Sequence, residues 1–260
     1  MSLNLTKDKL LINSLKKLGL KKGDTVLVHS DISKLGIKKL SIKNSMELIY
    51  NTIVSIIGKS GTLCVPAFYF EFNKKKFFDP KKTSVTPEIG LFSRYIVSLK
   101  KSKRSINPIA SIAAVGKNAK KICNNKTASA YGEDSPFDIL TKLNAKMLFL
   151  GADLRYMTYV HYVEQRVGVP HRYFKLFNGK VILNKKKIDL PIIGFVRYLK
   201  NDIINDIEGN NIKFSNKNLM KKIKFKKIFL YLLETKKTYN FLKEKLQKDC
   251  FYLLKKKPKL

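Results

Sequence analysis

Residues 25–36 read TVLVHSDISKLG, a run of apolar and β-branched side chains that ends in a loop of hydroxyl, acidic and glycine residues. A short run of this kind, bounded by turn residues, is typical of a strand that is buried on both faces. Before it, residues 6–18 carry leucines at helical spacing and stop at Gly19. This part of the chain therefore predicts an amphipathic helix followed by a buried strand.

The same alternation continues after the loop. A helix is predicted to start at Asn44, because Glu47 stands three residues later as in a capping box, and to end at Gly58. Residues 62–66 then repeat the pattern of a short buried strand. Strand, loop, helix and strand in this order indicate an α/β domain.

The remaining elements are predicted from weaker signals. They are helices at about 90–100, 158–164 and 237–246, and strands at 111–115, 147–150 and 228–233. The aromatic and Lys-rich residues 67–90 should be irregular. Asn178-Gly179 separates two β-like runs and predicts a hairpin, because a type I′ turn needs positive φ at both central residues. No repeat or linker divides the chain, so one domain over residues 1–260 is expected.

The net charge of +34 has two explanations. A basic face can bind nucleic acid or another anionic surface, and such a face would favour Arg, whose planar fork matches phosphates and base edges. Only six of the 53 basic residues are Arg, and the Lys residues are spread along the whole chain. This distribution favours the second explanation, in which Lys fills the exposed positions of a globular protein.

The cysteines and the apolar runs bear on the compartment. Three cysteines lie far apart, and no Cys/His spacing typical of a metal site is present. Sparse, odd cysteines indicate a reducing compartment. The first residues lack the pattern of a signal peptide, and no apolar run approaches the roughly 20 residues that span a bilayer. We therefore expect a cytoplasmic protein.

The chain has three histidines, and imidazole is the side chain best suited to proton transfer near neutral pH. His161 is the best candidate, because Glu164 lies three residues on and shares its face of a helix. A carboxylate beside an imidazole fixes its tautomer and raises its basicity, as in general-base catalysis. Thr158 falls on the same stripe. Spacing alone nevertheless favours a surface His–Glu pair of little consequence, because such pairs are common.

The other histidines and two loops are weaker candidates. His29 ends a strand, where α/β proteins bind ligands, although a hydrogen-bonded core histidine is an equal explanation. His171 is expected to be structural or adjacent to substrate. Residues 30–36 and 131–138 offer hydroxyls and backbone N–H groups that suit a phosphate or a pantetheine amide. The Ser-Pro pair in the second segment also predicts the start of a helix.

Five ordered segments resemble motifs of the aminoglycoside 3-N-acetyltransferase family, which is distinct from the GNAT acetyltransferases. Residues 29–36 are similar to the family's His-Ser-Ser-Leu-Ser-x-Leu-Gly loop. The other four are 78–80, like Phe-Asp-Pro; 104–113, like Arg-Ser-x-His-Pro-Thr-His-Ser-Val-Ala; 131–138, like Phe-Gly-x-Gly-Ser-Pro-Phe-Asp; and 157–164, like Asn-Thr-x-x-His-x-x-Glu. The likeness covers about residues 8–190, with a weaker trace to 245.

The resemblance implies a three-layer α/β/α sandwich with a central mixed β-sheet, not a GNAT fold, and an acyl-CoA-dependent N-acyltransferase. The family's catalytic His and Glu fall on His161 and Glu164, with Thr158 beside them. Acetyl-CoA or another acyl-CoA is the implied co-substrate, and no metal is expected. The residues expected to bind it are His29, Ser30, Ser33, Leu35, Gly36, Ser111 and Ser135.

The chain departs from the family pattern in places that bear on the acceptor. Asn107 and Ala110 replace the two histidines of one motif, and Met157 replaces the Asn before the threonine. No acidic insert suited to a polycationic drug is evident, whereas Lys and aromatic residues crowd 67–82. We therefore expect the acceptor to be a nucleotide-linked amino sugar of surface polysaccharide biosynthesis. The residues expected to bind it are Tyr69, Glu71, Asp79 and His171.

Three alternatives stay open. An aminoglycoside 3-N-acetyltransferase that confers antibiotic resistance would acetylate free aminoglycosides. A binder of nucleic acid or anionic surfaces would associate with DNA of any sequence in a salt-dependent way. A catalytically silent scaffold would not bind coenzyme A. The expected partners are the acyl-CoA and the amino sugar, with no specific nucleic acid and no membrane, and a homodimer is left open.

Overall fold

The computed structural model describes residues 5–36, 40–124, 127–199, 203–206 and 219–258. Within them, the α-helices are α1 Leu5–Leu18, α2 Ile42–Ile57, α3 Phe72–Lys75, α4 Leu91–Ser98, α5 Ala119–Cys123, α6 Pro136–Lys142, α7 Val160–Val167 and α8 Thr235–Lys248. The strands are β1 Thr25–Ser30, β2 Thr62–Pro66, β3 Phe77–Phe78, β4 Lys103–Arg104, β5 Ile112–Gly116, β6 Lys146–Leu150, β7 Arg172–Phe177, β8 Lys180–Leu183, β9 Lys186–Asp189, β10 Ile192–Arg197, β11 Met220–Phe225 and β12 Ile228–Glu234. None of the helices in these segments is long and apolar enough to cross a membrane.

The main sheet has seven strands in the order β11-β12-β6-β1-β2-β5-β4. Its centre is parallel, because β1 pairs in the same direction with β6 on one side and with β2 on the other. The flanking pairs are antiparallel. The sheet is therefore mixed, as the resemblance implied. The carboxyl ends of its three central strands meet at one edge.

Both faces of the central strands are buried, which explains their continuous apolar runs. In β1, Val26 and Val28 pack on the side of α1, α2 and α4, whereas Leu27 packs on the side of α6, α7 and α8. Strand β6 alternates in the same way, with Phe149 on one side and Leu148 on the other. Helices therefore cover both faces of the sheet, and the predicted three-layer α/β/α sandwich is confirmed.

The predicted start of the second helix is wrong by a few residues. Helix α2 is capped by Ser41, whose hydroxyl oxygen accepts the backbone N–H of Asn44 at 3.2 Å. Asn44 therefore lies inside the first turn and not at the cap. Ser41 and Asn44 are both good capping residues, and only the path of the chain selects between them. The end at Gly58 is as predicted.

The predicted hairpin at Asn178-Gly179 does not form. Strand β7 pairs with β10, whereas β8 pairs with β3 and β9. Gly179 serves close packing instead, because a Cβ there would lie 2.5 Å from Phe72 Cζ and 2.8 Å from the Lys76 carbonyl oxygen. The tight hairpin is at Asn184-Lys185, between β8 and β9, where both residues have positive φ.

A buried ion pair fixes the start of β6. Lys146 Nζ lies 2.7 Å from Asp24 Oδ2 and also donates to the Gly19 carbonyl oxygen at 2.6 Å. The Lys146 and Asp24 side chains are 13% and 10% exposed. This lysine therefore joins a central strand to the turn that precedes β1, and among the described residues it is the only cation within ion-pair distance of Asp24.

We expect Lys146→Met to lower the free energy of unfolding by about 3 kcal/mol, because Asp24 would be left as an uncompensated buried charge. Urea unfolding of the variant measures this loss. Lys248→Met is the matched control, since the Lys248–Glu244 pair is largely exposed, and it should unfold like the parent protein. Equal losses in the two variants would contradict the role given to Lys146.

Candidate active site

Polar residues follow each of the three parallel central strands. Residues 31–36 come after β1, residues 67–90 come after β2, and residues 151–164 come after β6. Because these strands run in the same direction, the three segments meet at one edge of the sheet, where open α/β folds bind ligands. The sheet topology therefore brings together stretches that are more than a hundred residues apart in sequence.

The His161–Glu164 pair predicted from spacing is formed on α7. His161 Nδ1 lies 2.9 Å from Glu164 Oε2. The carboxylate only accepts hydrogen bonds, so Nδ1 donates and Nε2 keeps its lone pair. The Glu164 side chain is 1% exposed, whereas that of His161 is 27% exposed. The buried carboxylate thus orients an imidazole whose other nitrogen can take a proton.

Glu164 has two further partners from the segment after α7. His171 Nε2 lies 3.2 Å from Oε1, and Arg172 Nε lies 2.9 Å from Oε2. Burial raises the pKa of Glu164, but the Arg172 charge and the hydrogen bonds from His161 and His171 outweigh it and hold that pKa well below its usual range. Burial and the Arg172 charge lower the pKa of His161, and Glu164 only partly offsets them.

Thr158 lies before α7 and not on it, which corrects the predicted helical stripe. Its Oγ1 is 3.1 Å from His29 Nε2, and its backbone N–H donates to the same nitrogen at 3.4 Å. Burial lowers the pKa of His29 to about 3, and its ring stacks on Phe149 with centroids 4.7 Å apart. His29 is therefore neutral, and its Nε2 accepts a hydrogen bond that the Thr158 hydroxyl donates, which orients that hydroxyl.

The seven residues expected to bind coenzyme A fall into two groups. Ser30 and Ser33 keep some exposure, although the Ser33 hydroxyl donates to Asp31 Oδ1 at 2.6 Å. Gly36 has positive φ and is exposed. The other four residues are buried in the interior: His29, Leu35, Ser111 and Ser135.

Both buried serines of that group have structural partners. Ser111 donates to the Ala67 carbonyl oxygen and accepts from Arg104 Nε, and Ser135 caps α6 by accepting the Asp138 N–H. Ser111 thus uses its proton and one lone pair within the protein, whereas Ser135 gives the cap one lone pair and keeps its proton, so a contact of either hydroxyl with coenzyme A stays a prediction. A serine in a sequence motif can bind a ligand, cap a helix or bond to another protein group, and the sequence alone does not show which of these its hydroxyl does.

The four residues expected at the acceptor also divide. Tyr69 and Glu71 line an open groove of about 760 Å³, together with Lys81, Lys82, Thr86 and Arg94. Asp79 instead accepts the backbone N–H groups of the two residues that follow Pro80 and so shapes a turn. His171 is fully buried against Glu164, so direct contact with substrate is not what the structure shows.

Two residues near His161 were not singled out by the sequence patterns. The Tyr131 ring packs edge-on against the His161 ring, with centroids 5.6 Å apart. Arg172 contacts Glu164 directly. The scarcity of arginine was the available signal for Arg172, because a chain that uses Lys on its surface keeps Arg for places where a planar fork is needed. The described residues contain no group of three or more His, Cys, Asp or Glu side chains suited to a metal.

We expect stability to fall as the pH drops from about 6.5 towards 5, because His29 is neutral in the folded protein and charged in the unfolded chain. One such group contributes about 1.4 kcal/mol per pH unit in this window. His161 acts in the same direction, because burial lowers its pKa as well. His29→Gln should flatten the dependence by about one proton in urea unfolding at several pH values. Parallel curves for variant and parent would contradict the assignment.

Comparison with known proteins agrees with this geometry. A sequence model of the aminoglycoside 3-N-acetyltransferase family matches residues 27–247. Aminoglycoside N(3)-acetyltransferase III of Salmonella sp is 27% identical over 181 residues, which are 63% of this chain and 62% of that relative. This chain therefore matches less than two thirds of that relative's length. The prophage-derived aminoglycoside N(3')-acetyltransferase-like protein YokD of Bacillus subtilis is 27% identical over 201 residues, or 68% of this chain and 71% of YokD.

Solved structures share the fold. The AAC-IIIb binary complex with CoASH superposes with a TM-score of 0.79 at 21% identity, over 96% of this chain and 98% of the other. YokD from Bacillus subtilis gives 0.77 at 22% identity, over 93% and 99%. AAC-VIa bound to sisomicin gives 0.78 at 18% identity, over 93% and 97%. The similarity extends over nearly the whole length of each chain.

The expectation of a nucleotide-linked amino sugar of polysaccharide biosynthesis is wrong. The family model and the relatives are named for aminoglycosides, which favours the alternative of an aminoglycoside 3-N-acetyltransferase. The expectation rested on the Lys and aromatic residues at 67–82 and on the absence of an acidic insert, and such a count does not show which charges a ligand meets: Lys75, for example, pairs with Glu71. Because the family model covers most of the sequence, this chain belongs to the aminoglycoside 3-N-acetyltransferase family.

Proposed function

We propose that this protein transfers the acetyl group of acetyl-CoA to an amine of an aminoglycoside, within one domain. The observation that carries the proposal is the partly exposed His161 ring, held at 2.9 Å by a carboxylate that is itself buried. This arrangement has the parts of a general base: an imidazole, a fixed tautomer and an accessible second nitrogen. Family membership and the CoA and aminoglycoside complexes of similar structures support the choice of substrates.

In the proposed reaction the acceptor enters as the neutral amine, and His161 Nε2 takes one of its N–H protons as the nitrogen attacks. The amine must be unprotonated to attack, because an ammonium has no lone pair. Its nitrogen then bonds to the thioester carbonyl carbon, the C–S bond breaks, and coenzyme A leaves as the thiolate. The proton held by His161 returns to that sulfur, so the products are the amide and the free thiol. Glu164 stays ionised and stabilises the imidazolium that exists in between.

Thr158 is proposed to position the acceptor amine. Its hydroxyl proton points to His29 Nε2, so the lone pairs of Oγ1 are available to another donor. An amine that donates an N–H to Oγ1 would have its lone pair turned away from the threonine and free to attack. Thr158 precedes His161 by three residues, on the chain that leads into α7. The contact would therefore place the amine close to the base.

The donor is proposed to lie along residues 30–36 and the adjoining groove. Pro87 lines the groove, and Gly90, three residues further on, lies near the end of β1, where a Cβ on it would be 3.7 Å from the Ser30 carbonyl oxygen. Lys81, Lys82 and Arg94 line that groove and suit the phosphates of coenzyme A. That Tyr69 and Glu71 contact the acceptor stays a prediction. That the protein forms a homodimer stays a prediction as well.

The test incubates the purified protein with acetyl-CoA and aminoglycosides such as gentamicin and sisomicin, while thiol release and the mass of the product are followed. We expect acetylation by the parent protein and a loss of at least about 10²-fold in kcat for His161→Asn, because general-base help of this kind is removed. Coenzyme A binding, measured by calorimetry, should survive.

Tyr156→Phe is the matched control, because Tyr156 is exposed and precedes Thr158 by only two residues. Its turnover should equal that of the parent. Near-normal turnover in His161→Asn would remove the base from the mechanism. A parent protein that binds coenzyme A and acetylates no aminoglycoside would remove the proposed acceptor.

A further inference from the structure

Nitrogen atoms of three side chains surround the Glu164 carboxylate, on the Nδ1 side of the His161 ring and away from the Nε2 atom proposed as the base. His161 Nδ1 and Arg172 Nε both lie 2.9 Å from Glu164 Oε2, and His171 Nε2 lies 3.2 Å from Oε1. The side chains of Glu164, His171 and Arg172 are 1%, 0% and 7% exposed. An imidazole and a guanidinium therefore share the same oxygen in a place that water hardly reaches.

The path of the chain after α7 explains why they meet. Gly168 ends the helix in the left-handed conformation, and its N–H and that of Val169 both bond to the Glu164 carbonyl oxygen. This reversal brings the next residues back beside Glu164. Arg172 then begins β7, where its Nη1 donates to the Phe195 carbonyl oxygen on β10 at 3.3 Å. The guanidinium is thus held by the two-stranded ribbon.

The charge on Arg172 matters because a histidine paired only with a carboxylate would already be protonated before the reaction and so could not act as a base. A buried carboxylate next to an imidazole stabilises the imidazolium, so the pair would hold a proton at neutral pH. A protonated His161 has no lone pair with which to accept the proton of an amine. A guanidinium is always charged in proteins, and that of Arg172 places its positive charge at the same carboxylate oxygen. It therefore competes with the imidazolium for the carboxylate.

We propose that Arg172 is a positioning residue that neutralises Glu164 and thereby keeps His161 unprotonated in the resting protein. Its catalytic consequence rests on the proposed function, whereas its electrostatic content does not. The Arg172 Nε–Oε2 contact is an ion pair and not an aligned hydrogen bond, because that N–H has no partner in hydrogen-bond geometry. Arg172 therefore acts on Glu164 mainly through its positive charge and not through a directed hydrogen bond.

The groups that face His161 come from four segments. Glu164 lies on α7 itself, Tyr131 packs edge-on from the loop before α6, Arg172 lies on β7 and Arg197 lies on β10. His171 reaches the site through Glu164. Burial is the first cause that lowers the pKa of His161, Arg172 is the second, and Arg197 is a smaller one. Only Glu164 raises it among these causes.

Arg197 provides a matched control. It stands directly opposite Arg172 in the β7–β10 register, and its Nη1 donates to the Ile203 carbonyl oxygen at 2.8 Å. Replacing it removes the same charge from the same ribbon without removing the contact with Glu164. A difference between variants at 172 and 197 would therefore report the contact and not the net charge of the protein.

The experiment measures the pKa of His161 by NMR of its ring carbons, with His161→Asn to assign the signal. In the parent protein the pKa should lie below the ordinary 6.5 although the ring touches a carboxylate. Arg172→Gln, which keeps a planar hydrogen-bonding group, should raise it by about one unit or more. Arg172→Lys should restore a value near that of the parent, and Arg197→Gln should shift it less than Arg172→Gln.

Turnover gives a second readout. The acid limb of kcat/KM should move to higher pH in Arg172→Gln by the same shift, so that the variant loses about tenfold at low pH for each unit and little at high pH. The ionisation of the acceptor amine is common to all variants and cancels in this comparison. Arg172→Lys should follow the parent profile.

Several results would overturn the inference. One is a His161 pKa above 6.5 in the parent protein. Another is a His161 pKa that does not change in Arg172→Gln. A third is an activity loss in Arg172→Gln that is the same at every pH. If the parent acetylates no aminoglycoside, the proposed function fails, while the NMR comparison still decides the role of Arg172.

Discussion

The buried carboxylate of Glu164 is the constraint on which the site depends. A carboxylate with 1% exposure cannot stay ionised without partners, and removing them would cost several kcal/mol. One partner comes from its own helix, and two come from the chain that returns after Gly168. The same contacts hold α7 against β7 and orient the imidazole. The stability of the fold and the chemistry of the site therefore depend on the same atoms, so a change to any of the three partners affects both.

The parallel strands at the centre of the sheet bring residues that are distant in sequence together at the site. His29 at the end of β1 and Thr158 after β6 are 129 residues apart in sequence and 3.1 Å apart in space. The buried Arg104 performs a comparable task after β2, where it bonds the carbonyl oxygens of Ala67 and Thr83 and the hydroxyl of Ser111. The walls of the cleft are thus fixed by polar groups that are not themselves open to a ligand.

The charge of the whole molecule says little about the site. The value of +34 is a sum over a surface crowded with Lys, whereas the groups around His161 are one carboxylate, two guanidiniums and a second imidazole. Near the groove, Glu71 already pairs with Lys75 at 2.9 Å. The lysines at 67–82 are therefore not all available to a ligand, so their number alone was a poor guide to the acceptor. The scarce arginines were more informative, since Arg104 and Arg172 both have buried guanidiniums with specific partners.

The sequence by itself determined the α/β rhythm, the buried central strands and the His161–Glu164 pair, because periodicity and i,i+3 spacing are local properties of the chain. It could not determine that Asn178-Gly179 is no hairpin turn, that Ser111 and Ser135 bond to other protein groups, or that His171 and Arg172 hold Glu164. Those outcomes depend on which distant groups compete for the same hydroxyl, glycine or carboxylate. Only the tertiary structure brings these groups close enough to bond. Once they are buried, breaking such a bond costs free energy, because the polar group is left without water or another partner.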